Sequence, residues 1–94
     1  MNINEFMKSL SQEKPPANLN AYLRSLWLDA NKDWEAAHTV IQDIEDKTAA
    51  WIHAYLHRKE GDIGNADYWY RRAGKSRPDN TLKEEWKNIV EALL

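Results

Sequence analysis

Shifting the chain by 29 residues lays one stretch on another, and this internal correspondence constrains the fold more than any other feature. Ala21 falls on Ala50, Tyr22 on Trp51, Leu23 on Ile52, Ser25 on Ala54 and Trp27 on Leu56. Further along, Asp33 meets Asp62, Trp34 meets Ile63, Ala37 meets Ala66, Ile41 meets Tyr70 and Ile44 meets Ala73. Identities are few, but size and polarity agree along both stretches. A period of this length carries one supersecondary unit, so the correspondence predicts a duplicated helix-turn-helix.

Local signals agree with that unit. Ile3, Phe6, Met7 and Leu10 have helical spacing, and Pro15 and Pro16 stop the first segment. A second helix is expected from Leu19 to Asn31, with Leu19, Leu23, Leu26 and Trp27 facing inward. Asp33 is a suitable N-cap for a third, "WEAAHTVIQDIE", in which Ala37, Val40, Ile41 and Ile44 line up. Asp46 caps a fourth from Lys47 to Glu60, which Gly61 ends by taking the left-handed conformation. Asp62 caps a fifth to Ala73, closed by Gly74. Thr81 and Glu84 have capping-box spacing ahead of Leu82, Trp86, Ile89, Val90 and Leu93. Nothing alternates as a strand would. The prediction is an all-α fold of about six helices in one domain over residues 1–94. An N-terminal helix (1–14) precedes hairpins at 19–45 and 46–78, and a capping helix (80–94) follows.

The second copy resembles a tetratricopeptide repeat. Ala66, Tyr70, Ala73 and Pro78 have the spacing of that family's second helix, and Ala54 and Gly61 match the small residue and turn of its first. In the first copy Ala37 and Ile41 fit, without the glycine or the proline, and the period is shorter than the family's usual ~34 residues. The resemblance covers residues 19–78. It implies paired helices whose first members line a concave, peptide-binding face. The stretch "WIHAYLHRKEGDIGNADYWYRRAG" is also similar to the core of a group of small bacterial proteins, which implies a bacterial source.

Composition removes several functions. With no cysteine, disulfides, thiolate zinc sites and thiol catalysis are excluded. A net charge of −2 supplies no overall field toward nucleic acid or anionic lipid. No stretch approaches the ~20 apolar residues of a membrane span. The start "MNINEFMKSL" lacks the basic and apolar regions of a signal peptide, so a cytoplasmic location is expected. No nucleophile-base-acid set is visible, so catalysis is not expected, and no cofactor is called for.

Three clusters remain. Trp51, Tyr55 and Arg58 share one face of the fourth helix, and with Tyr22, Leu26 and Asp29 they would floor an aromatic groove. Either that groove is open to a protein or peptide partner, or an end helix folds over it. Trp69, between Tyr68 and Tyr70, is a further contact candidate. His53 and His57 stand four apart with Glu60 continuing their face, and His38 could arrive from the preceding helix. That set is an alternative metal site. Arg71, Arg72, Lys75 and Arg77 suit a helix C-terminus, with a nucleic-acid contact as the lesser reading. The leading expectation is a module that binds a protein or peptide, or pairs with itself as a homodimer; the alternative is a metal-binding protein or metal-dependent enzyme.

Overall fold

The computed structural model describes residues 1–94. It contains six helices and no strand: α1 Ile3–Ser9, α2 Ala21–Ala30, α3 Trp34–Ile41, α4 Lys47–Lys59, α5 Ile63–Arg72 and α6 Leu82–Leu93. Each begins on a side chain that accepts a free first-turn amide. Asp33, Asp46 and Asp62 accept from Ala36, Ala49 and Asn65, as expected. Thr81 and Glu84 form the expected capping box. Asn2 and Glu5 form another, and Asn20 caps α2, so that helix starts at Ala21 and leaves Leu19 outside it.

Two helices are shorter than their apolar spacing suggests. α1 ends at Ser9, whose hydroxyl donates to the Phe6 carbonyl at 2.6 Å and competes with continuation of the helix. α3 ends at Ile41 because Asp46 must be extended (φ −140°, ψ 171°) to cap α4, so residues 42–45 have to turn.

The two hairpin turns share one backbone pattern. The Asp33 amide donates to the Leu28 carbonyl at 3.0 Å, and 29 residues on the Asp62 amide donates to the His57 carbonyl at 3.0 Å. The preceding residue is left-handed in both, Lys32 at φ 65° and Gly61 at φ 87°. This is the Schellman closure, in which one left-handed residue lets the chain satisfy the last helical carbonyls. Small residues then meet inside each hairpin. Ser25 faces Ala37, its hydroxyl donating to the Ala37 carbonyl at 2.8 Å, and Ala54 and Ala66 occupy the matching places; all four are fully buried.

α2 packs chiefly on α3 and α4 on α5, while α6 lies across α2 and α4. The core runs through Phe6, Leu26, Trp27, Ile41, Ile52, Leu56, Trp86, Ile89 and Val90. Indoles tie the elements by their N–H groups: buried Trp27 to Ser9, half-buried Trp34 to the Leu56 carbonyl at 2.8 Å, and buried Trp86 to the Leu26 carbonyl at 3.0 Å. No helix is long and apolar enough to cross a membrane.

The turns generate a prediction. An added Cβ at Gly61 would meet nothing within 4 Å, so only backbone strain opposes it. Gly61→Ala is expected to lower stability by about 1–2 kcal/mol, and Lys32→Gly to raise it by up to about 1 kcal/mol. Urea unfolding of both variants checks this.

Candidate functional site

The groove expected over Trp51, Tyr55 and Arg58 is roofed. Glu85 and Trp86 of α6 lie over it, and Tyr55 is only 2% exposed. Its hydroxyl donates to Asp29 Oδ2 at 2.8 Å, while Lys59 Nζ lies 2.9 Å from Asp29 Oδ1. Burial, then the Asp29 carboxylate, raises the Tyr55 phenol well above its ordinary range. Arg58 has a side chain 13% exposed, pairs with Glu85 at 2.8 Å, and also bonds the Asn80 side chain and carbonyl. Tyr70 donates to the same Glu85 carboxylate at 2.7 Å. Tyr55 and Arg58 are thus internal fasteners between helices, which corrects their assignment as partner-facing residues. Leu26 is fully buried as well. The physical reason is that α6 brings the carboxylate that Arg58 needs and the indole that fills the groove.

The other candidate contact residues keep access to solvent. Trp51 is half-buried, with the Lys75 ammonium 4.0 Å from its ring centroid. Trp69 is half-buried, with the Arg72 guanidinium 5.1 Å from its ring, and Tyr68 beside it is 44% exposed. Tyr22 donates its hydroxyl to Asp46, which raises the phenol and lowers the carboxyl. Lys47 joins these groups. It lines a hollow of about 270 Å3 with Ile44, Asp46, Ala50, Trp69 and Arg72, and a second hollow with Trp51, Ala73, Lys75 and Leu93. Lys47 has no sequence signal of its own; only the packing of α4 against α5 sets it between the tryptophans. Of the cations at 71–77, Arg77 pairs with Asp67 at 2.8 Å.

All three histidines of the chain meet on the joint between the hairpins. His38 comes from α3, and His53 and His57 from successive turns of α4. His38 Nε2 and His53 Nε2 are 3.0 Å apart, and one ring nitrogen of each histidine lies within 4.8 Å of the others. His57 Nδ1 is 2.5 Å from Glu60 Oε1, and the Asn65 amide nitrogen is 3.4 Å from His57 Nε2. Two indoles wall the cluster: Trp34 stacks on His38 (4.9 Å, 9°) and Trp69 on His53 (4.0 Å, 18°). Desolvation, then the neighbouring His57 and His38, pushes His53 down to about 4. Desolvation and His57 lower His38 too, against the raising effect of Glu60 and Glu35. The helical spacing of His53, His57 and Glu60 was visible in sequence. The sequence also offers His38 as a candidate from the preceding helix, whereas Trp34 and Asn65 required the fold.

No family model, curated protein or solved structure matches the chain.

Two outcomes follow from this geometry. Tyr55→Phe removes a buried hydrogen bond and is expected to lower stability by about 1–2 kcal/mol in urea unfolding, an effect foreign to a surface contact. In chelator-treated protein, the unfolded chain takes up a proton on residue 53 below about pH 6.5, whereas folded His53 resists it until about pH 4. Stability is therefore present above pH 6.5 and falls with acid, by roughly 2 kcal/mol between pH 7 and pH 5. Unfolding curves across that range check the sign, and His53→Gln is expected to reduce the slope.

Proposed function

We propose that this chain is a small helical-repeat interaction module that holds an acidic protein segment against the α4–α5 hairpin. One observation carries the reading: two half-buried tryptophans, Trp51 and Trp69, each lie beneath a cation and flank Lys47. Aromatic side chains with arginine supply most interface energy. Here they are already held in place by stacking and cation–π contact, so little side-chain entropy remains to be lost on binding. The hollow beside Trp69, Ala50 and Ile44 is also lined by Gln42, Glu45 and Asp46, so it is the Lys47, Arg72 and Lys75 cations along the strip that suit a partner's carboxylates.

The charge distribution supports the same class of partner. Residues 71–77 carry four cations and no acid, so with −2 overall the other 87 residues carry −6. A second copy of this chain could therefore supply the acidic segment, and self-association is the close variant. The groove of a tetratricopeptide-like repeat is taken by α6, which leaves the outer aromatic strip as the working surface.

The test is a titration of a short fluorescein-labelled peptide of glutamates around one phenylalanine, followed by anisotropy. Saturable binding is expected, at least tenfold weaker (about 1.4 kcal/mol) in Trp69→Ala and in the Lys47→Glu, Lys75→Glu double variant. Unchanged melting temperatures would show that both variants remain folded. Absent binding, or equal binding by all three proteins, overturns the reading. Sedimentation of the unlabelled chain reads self-association directly.

A further inference from the structure

The histidine cluster is not needed by the interaction strip, and its atoms are arranged for a different task. We propose that His38, His53 and His57 form a three-imidazole site for a divalent transition-metal ion of the zinc class, with Glu60 as the positioning residue for His57. Two features of the chain support this.

The first is convergence. Zinc binds imidazole nitrogen at about 2.0–2.1 Å in tetrahedral geometry, which sets two ligand nitrogens about 3.3 Å apart. His38 Nε2 and His53 Nε2 already stand at 3.0 Å, and the third ring supplies a nitrogen within 4.8 Å of both. The two α4 ligands are one turn apart, so the helix itself holds their separation. The second feature is the carboxylate behind a ligand. Glu60 Oε1, 2.5 Å from His57 Nδ1, accepts a hydrogen bond from the N–H there, which fixes the ring plane and leaves the lone pair on Nε2, where the Asn65 side-chain amide now lies at 3.4 Å. Metal-bound histidines are almost always held this way. The single proton shared in the Nε2–Nε2 contact moves to Nδ1 of its own ring when both Nε2 atoms turn to an ion.

The donor set selects the ion. Three imidazoles without a thiolate suit zinc, nickel, copper(II) and cobalt, whereas calcium and magnesium require oxygen ligands. A rival grouping of His57, Glu60 and Asp62 is also compact, but its acids are engaged: Glu60 with His57, and Asp62 with the Asn65 amide as the N-cap of α5. None of the surface hollows is lined by a histidine. The ion would therefore bridge α3 of one hairpin to α4 of the next with no substrate cleft beside it.

The test uses the full chain, purified without a histidine tag and treated with chelator. Cobalt(II) is added and followed by visible absorption, then displaced by zinc, with zinc stoichiometry read by calorimetry. The expected result is one ion per chain, intense tetrahedral-type cobalt bands, and a melting temperature raised by zinc. His38→Asn, at a half-buried position, is expected to weaken zinc binding by at least 100-fold, and Glu60→Gln by 10–100-fold while keeping the cobalt spectrum. Circular dichroism establishes that both variants fold. No saturable binding by the wild-type chain overturns the proposal, and so does binding that His38→Asn leaves unchanged. Peptide binding by the strip is measured separately, in chelator, so either reading can fail alone.

Discussion

A left-handed residue followed by an aspartate sets both hairpins, and the rest of the structure depends on that turn. At Lys32–Asp33 and again at Gly61–Asp62, the reversed residue closes one helix and the carboxylate opens the next. The turn fixes where the second helix of each pair starts, and so which of its residues face the first. Ser25 against Ala37 and Ala54 against Ala66 are the result. Side chains this small let the helices approach closely, and ridges then fit grooves without voids. Lysine in the first turn carries strain that glycine in the second avoids, so the two turns share a geometry through different chemistry.

Two buried ionic groups fasten the hairpins to what lies outside them. Glu85 receives Arg58 and Tyr70, and so joins α4, α5 and α6 at one carboxylate. Asp29 receives Tyr55 and Lys59, joining α2 to α4. Residues 29 and 58 are equivalent across the 29-residue shift, yet one is an acid and the other a base. Each would be costly to bury alone, and each is fully partnered. The Glu85 contacts place α6 in one register against α4. The same register covers the inner face and leaves Trp51, Tyr68 and Trp69 as the accessible large aromatics of that hairpin.

Local chemistry was legible and distant chemistry was not. Asp33, Asp46, Asp62, Gly61, Gly74 and the Thr81–Glu84 pair announced their helix ends, because a cap or a left-handed glycine acts within three or four residues. Lys32 gave no such signal, since lysine does not favour the conformation it adopts. The end of α3 was hidden because Ile44 continues the apolar spacing, while the need of Asp46 to be extended comes from the next helix. At the candidate sites, the i and i+4 histidines could be read along one helix. The roofing of Tyr55 and Arg58, the meeting of His38 with His53 and the position of Lys47 are all contacts between helices, which periodicity does not encode.

Trp69 belongs to both candidate sites. One side of its indole stacks on His53, and the Arg72 guanidinium lies within cation–π range of the same ring. A ring wedged in this way cannot answer to two neighbours independently. Whatever orders His53 also narrows the freedom of the indole, and whatever draws the indole outward loosens the imidazole behind it. Thermodynamic linkage makes that exchange reciprocal, with the same free energy in either direction. One shared side chain thus ties the back of the proposed binding strip to the histidine cluster, so that Trp69 is in contact with both.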